Sequence, residues 1–214
     1  MKRLTVLLTL AIVLVAANAS AQMAPAGKGK PSPKPPTVFV DDFSDGNLDG
    51  WYVDEGNWTV QDGALVIRRV DQYDVSDYKL ILVDNLEVGT FSLEVWLNPV
   101  NDSGAIAFWR QGWPTQVEVG LSSYWNTLRI GEVVNTEVIS AYDYGDNDGV
   151  RWQPNTWYKV RIDANSRTGT VKVWVDDVYR FTHTVQVIQR SGKIGLHSGS
   201  FGSDWDNFYL QWRK

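Results

Sequence analysis

The sequence predicts an all-β protein, a two-sheet antiparallel β-sandwich, and three observations predict it. From Val38 onward apolar and polar residues alternate with period two, the mark of half-buried strands. No segment of ten or more residues carries a helical apolar stripe. Clusters of Gly and Asp, as in residues 44–50 and 143–149, break the alternating runs with turn chemistry. Half-apolar strands need a second layer for their apolar faces, and stacking two sheets supplies one.

Taken in order, the chain opens with Lys2 and Arg3, an apolar run from Leu4 to Val15, and the small residues Ala19-Ser20-Ala21. That order reads as a secretory signal peptide over residues 1–21, too short in its apolar part to span a bilayer core of roughly 30 Å. Gln22 becomes the expected mature N-terminus. Residues 22–36 hold five of the eight Pro and no apolar period, which predicts an extended Pro/Lys-rich linker. Residues 37–214 follow as one domain. In residues 90–97, Phe91, Leu93, Val95 and Leu97 share a face opposite Ser92, Glu94 and Trp96. Val117, Val119 and Leu121 oppose Gln116 and Glu118 in the same manner. Tyr158, Val160 and Ile162 alternate with Lys159, Arg161 and Asp163, and past the turn residues 165–169 Val171, Val173 and Val175 complete a hairpin. A last strand over residues 207–212 points Phe208, Leu210 and Trp212 inward.

Composition removes whole classes of function. The chain of 214 residues has no Cys, so thiol catalysis, thiolate metal sites and disulfides are absent together. A formal net charge of −5 with 20 Lys and Arg argues against nucleic acid, whose binding rests on neutralised phosphates. No second long apolar run exists, so no transmembrane span is expected. Secretion, outside the cell or into a periplasm, is the expected destination.

Three blocks in order along the chain carry a family resemblance. They are Val40-Asp41-Asp42-Phe43-Ser44-Asp45-Gly46 with Gly50-Trp51 and residues 57–66; residues 155–161 leading to Val173-Trp174-Val175-Asp176-Asp177; and residues 192–197 with Asp206-Asn207-Phe208. Together they resemble the concanavalin A-like lectin and glucanase jelly rolls, in particular laminin G-like domains and the family 66 type of carbohydrate-binding module. The resemblance implies that the first and last strands lie side by side. It also implies a structural calcium: in the similar glycoside hydrolase family 16, an acidic residue of the opening motif, a Gly carbonyl and an Asp of the last strand hold the ion. The matching positions are Asp42, Gly63 and Asp206. Two neighbouring carboxylates repel unless a cation lies between them, and calcium takes oxygen ligands, backbone carbonyls included. The alternative is that both carboxylates cap turns. A second ion in the acidic loop 143–149 is the weaker expectation, because the loop lacks EF-hand spacing.

Retaining glucanases of this fold need two carboxyl groups about 5 to 5.5 Å apart, supplied as Glu-x-Asp-x-Glu. None of Glu55, Glu87, Glu94, Glu118, Glu132 and Glu137 is followed two positions later by Asp. Only His183 and His197 exist, too few for a multi-His zinc site. His197 reads as a hydrogen-bonding strand residue in preference to a base. A hydrolase or lyase stays open through Glu94 and Glu118, on the condition that their strands share a sheet.

Ten of the 11 Trp divide by position. Trp51, Trp58, Trp157, Trp205 and Trp212 are expected in the core, and Trp96, Trp109, Trp113, Trp125 and Trp174 at the surface. Indole faces stack on sugar rings while a few polar groups read hydroxyls. The candidate ligand-binding set is therefore Glu94, Trp96, Arg110, Trp113, Glu118, Tyr124 and Trp125. The expected function is that of a secreted, non-catalytic, lectin-like carbohydrate-binding domain with a structural calcium, its partner a polysaccharide or glycan, including a cell-envelope component. The alternative is an adhesion or assembly domain whose partner is protein.

Overall fold

The structure, a computed structural model, describes residues 37–68, 79–100, 103–112, 115–135, 137–143, 150–199 and 202–213. All lie in one compact unit, Lys34–Lys214. The expected leader (1–21) and linker (22–36), Trp113, and residues 144–149 of the acidic loop fall outside the described residues.

Every regular element among the described residues is a strand: β1 (Thr37–Asp41), β2 (Trp51–Glu55), β3 (Trp58–Gln61), β4 (Ala64–Arg68), β5 (Lys79–Val88), β6 (Phe91–Pro99), β7 (Ser103–Gly112) and β8 (Thr115–Ser122). There follow β9 (Thr127–Val134), β10 (Glu137–Asp143), β11 (Tyr158–Asn165), β12 (Thr170–Val175), β13 (Val178–Thr184), β14 (Gly192–Ser198) and β15 (Gly202–Trp212). They form two antiparallel sheets, ordered β13-β12-β11-β6-β15-β4-β3 with β1 also on β15, and β10-β9-β8-β7-β14-β5-β2. No helix among the described residues is long and apolar enough to cross a membrane.

Alternation decides which faces meet. Phe91, Leu93, Val95 and Leu97 are all buried, as are Val117, Val119 and Leu121 from the other sheet and Val171, Val173 and Val175 from the hairpin. These inward faces form one core. The segments at the two ends of the domain meet through aromatic rings: Trp51 lies 5.0 Å from Phe208 and 5.8 Å from Phe43, and Phe39 lies 5.9 Å from Phe208, centroid to centroid. The Trp51 indole N–H donates to Asp41 at 2.7 Å, so the polar edge of the ring is satisfied as its face is buried.

Two Trp expectations are corrected. Trp109 is fully buried, because a break in the β7–β8 register and a φ of 51° turn it to the core side, where its indole N–H donates to the Gly89 carbonyl. Trp157 is exposed instead of buried, since the next residue, Tyr158, takes the inward position at the start of β11. Trp51, Trp58, Trp205 and Trp212 are in the core as expected.

Candidate functional site

The outer face of the second sheet carries a cleft, and the register explains it. One cross-strand row runs His197 (β14), Ala105 (β7), Gly120 (β8), Arg129 (β9) and Asp143 (β10). The next runs Gly195, Ala107, Glu118 and Gly131. Small residues thus stand between the long polar ones, and the floor they leave opens a cavity of about 410 Å³. Glu118, His197, Arg129 and Asp143 line it, with Trp125 at its side.

The β8–β9 turn presents Trp125. Its backbone N–H donates to Ser122 Oγ at 3.1 Å, Asn126 turns with a φ of 53°, and the Asn126 side chain accepts from the Trp152 N–H at 2.9 Å. The neighbouring Tyr124 packs edge-on against Trp125, with centroids 4.8 Å apart. Trp125 is 69% exposed and Tyr124 66%. Rings so anchored lose little freedom when a ligand stacks on them.

Glu118 sits at the end of a polar chain. Asp54 accepts from Arg110 at 2.7 Å, Arg110 donates to the Gln116 side-chain oxygen at 2.9 Å, and Gln116 donates to Glu118. Glu118 Oε1 lies 3.2 Å from Nδ1 of His197. Burial by itself raises the Glu118 carboxyl. The charge and hydrogen bond of His197, the Gln116 amide and the charge of Arg129 outweigh it and hold the group below the ordinary carboxylate value. The cleft thus contains a carboxylate in contact with the His197 ring, an arrangement that orients the ring and supports proton transfer.

The expected ligand set is therefore divided. Glu118 and Trp125 share the cleft, and Tyr124 packs on Trp125. Arg110 is buried and engaged by Asp54 and Gln116, so it supports Glu118 from behind. Glu94 and Trp96 belong to β6 of the first sheet, while Glu118 is on β8 of the second. The condition for Glu94 and Glu118 to meet across a groove is not fulfilled, because strand parity sends each outward from opposite layers. Trp113 lies outside the described residues. Sequence reasoning missed Arg129 and Asp143 as cleft residues and placed His197 as a strand residue. Parity alone makes position 129 outward, yet nothing local says that β9 lies two strands from β7 and that its arginine faces a histidine from β14.

A second grouping lies where β1 and β4 abut. Both pair with the same side of β15, β1 with Phe208–Trp212 and β4 with Gly202–Trp205, while β6 covers the other side. Asp206 and Asn207 fall between the two paired stretches, Asp42 directly follows β1, and Gly63 directly precedes β4. Burial, followed by the charges of Asp42 and Asp41, raises the Asp206 carboxyl. Both candidate carboxylates also make turn bonds: Asp42 accepts from the backbone and hydroxyl of Ser44 at 3.1 and 2.7 Å, and Asp206 accepts from the Asn207 N–H at 2.6 Å. Among the described residues no group of three or more His, Cys, Asp or Glu is gathered as for a metal ion.

Comparison with known proteins supports this architecture. No curated protein matches the sequence. Among solved structures the chain is similar to the carbohydrate-binding module CBM66 from Bacillus subtilis, at 16% identity and a TM-score of 0.62, covering 76% of this chain and 95% of that one. It is similar to lectin II from Ulex europaeus at 13% identity and a TM-score of 0.59, covering 83% and 99%. Against the beta-glucanase of Bacillus licheniformis the identity is 12% and the TM-score 0.59, covering 83% and 98%. At such identities the likeness is one of fold, the concanavalin A-like jelly roll. Residues 38–211 match the 3-keto-alpha-glucoside-1,2-lyase-like domain, and the chain belongs to that family within the concanavalin A-like superfamily.

Proposed function

We propose that this protein is a secreted carbohydrate-binding protein that holds a sugar in the cleft of the second sheet. The observation that carries the reading is Trp125, an anchored and exposed indole beside Glu118, His197, Arg129 and Asp143. The indole stacks on a sugar ring while the polar groups bind its hydroxyls. The lectin and the carbohydrate-binding module that share the fold support it, and the signal-like leader supports secretion. A glycan array followed by titration of the best saccharide tests the reading. Trp125→Ala is expected to weaken binding by about tenfold or more, as loss of an anchoring aromatic does. Unchanged affinity in that variant rejects the cleft.

The family and the Glu118–His197 contact favour a second reading, in which the bound sugar is also a substrate. In a 3-keto glucoside the carbonyl acidifies the hydrogen on C2, so a base that removes it expels the substituent on C1. A His oriented by a carboxylate is suited to that role, and Arg129 to stabilising the enolate oxygen. Mixing the protein with a 3-keto disaccharide and following release of the leaving sugar tests this. Glu118→Gln, which preserves shape and removes the charge, is expected to lower the rate by about a hundredfold or more. Full activity in Glu118→Gln rules out the role.

Calcium between Asp42 and Asp206, with the Gly63 carbonyl, is proposed as a structural ion. The mutual repulsion at the gap supports it, and the few side-chain ligands leave the rest of the shell to backbone oxygens and water. Calcium is expected to raise the melting temperature of chelator-treated protein, and less so in Asp206→Asn. A melting curve indifferent to calcium removes the ion from the account.

A further inference from the structure

The outer face of the first sheet bears side chains that the cleft does not use. Following the register across six strands, one row reads Val40, Tyr209, Glu94, Arg161, Trp174 and Tyr179. At the usual strand spacing it extends for about 24 Å. Tyr209 is 42% exposed, Tyr179 53% and Trp96, two residues along β6 from Glu94, 37%. The Arg161 guanidinium lies 4.8 Å from the centroid of Trp174, whose ring meets Tyr179 at 5.8 Å. The adjacent row of the same face, Gln211, Ser92, Asp163 and Lys172, borders a cavity of about 510 Å³ that Asn165 and Thr168 also line.

We propose that this face is a second carbohydrate-binding surface, taking a neutral oligosaccharide along the row with the cavity at its flank. It rests on the reading of the protein as a carbohydrate binder but concerns a different sheet. Three features select the occupant. Glu94 and Arg161 separate Tyr209 from the Trp174–Tyr179 pair, so the rings do not merge into one apolar patch, which fits a chain of polyol rings better than an apolar protein surface. Two of the cations on the face are already engaged, Arg161 with Asp163 at 2.8 Å and Lys159 with Asp177 at 2.7 Å, so an anionic ligand gains little from them. The cavity combines an apolar lining from Phe91, Ala164 and Trp212 with hydroxyl, amide and carboxylate groups such as Ser92, Asn165 and Asp163, the mixture that holds a sugar ring and reads its hydroxyls. Two sugar sites on opposite faces of one sandwich let a single molecule bridge two polymer strands or hold one polymer with avidity.

Retention of the full chain on insoluble cellulose, starch and mannan, with titration of the matching soluble oligosaccharides, tests the proposal. Trp125→Ala, Tyr209→Ala with Trp174→Ala, and Lys172→Ala with Gln211→Ala are compared with the wild type, each checked for an intact melting transition. The outer-face double variants are expected to lose about tenfold in retention each, and combination with Trp125→Ala to lose it entirely. Trp174 is half-buried, so the Lys172/Gln211 pair at the cavity keeps the test decisive if removal of Trp174 harms folding. Wild-type retention in both outer-face pairs, with loss in Trp125→Ala, overturns this surface and leaves the cleft standing. Loss in the outer-face pairs with full retention in Trp125→Ala upholds this surface and removes the cleft. A wild-type chain that binds none of these glycans overturns both. A change in sedimentation of the outer-face pairs without a change in retention makes the face a contact between copies and overturns the proposal.

Discussion

Glu132 is fully buried between the sheets, and its carboxylate accepts the backbone N–H groups of Gln186, Val187 and Ile188 at 2.8, 2.7 and 3.1 Å. Those three bonds give a buried charge the partners it requires and fix the segment that leaves β13. His183 Nε2 lies 3.8 Å from the same carboxylate. Burial lowers the His183 pKa below its ordinary value, although Glu132 pulls it upward. The unfolded chain therefore takes up the proton first. The stability associated with neutral His183 is complete above about pH 6.5 and is lost as the pH falls toward the lower folded value. Melting temperatures between pH 8 and pH 5 are expected to decline more in the wild type than in His183→Gln. Parallel curves would show that another group governs the acid side.

Among the elements, β14 shows how tightly backbones are packed to build the cleft. It lies between β7 and β5, and a Cβ placed on Gly195 would stand 2.0 Å from the Ile81 carbonyl oxygen. Backbone cannot yield as a flexible side chain does. Gly195→Ala is expected to cost about 2 to 4 kcal/mol and to move His197, two residues further along the strand. Urea unfolding measures the loss; a change below about 0.5 kcal/mol, the usual range for a surface substitution, would mean that the strands can separate at that point. Strand identity was readable in advance for β6, β8, β11 and β12, whose alternation is regular. It was not readable around Trp109, which reads as the flank of a turn but lies within β7 at a bulge that turns its ring to the core.

At the scale of the whole molecule, the aromatic cluster of Phe39, Phe43, Trp51 and Phe208 ties the opening segment to the last strand and joins the two sheets. Phe208 is fully buried there. Phe208→Ala is expected to cost about 3 to 5 kcal/mol through lost transfer energy and a residual cavity. One cooperative transition shifted as a unit, seen alike by Trp fluorescence and circular dichroism, is the expected result. Two separated transitions would mean that the sheets unfold independently.

Period-two alternation, turn residues and the absence of a helical stripe determined by themselves that the chain makes strands and that half of each strand's side chains go inward. Local sterics and hydrophobicity act over a few residues, so a reader of the sequence has access to them. The ordered motifs carried the superfamily as well. Only the tertiary structure decided which outward residues become neighbours, because strand order joins positions far apart in the chain. It set Glu118 of β8 beside His197 of β14, withdrew Arg110 into a supporting chain, and sent Glu94 and Trp96 to the opposite face. A site on a sheet is a property of register and layer, and both are fixed by long-range pairing that no local pattern records.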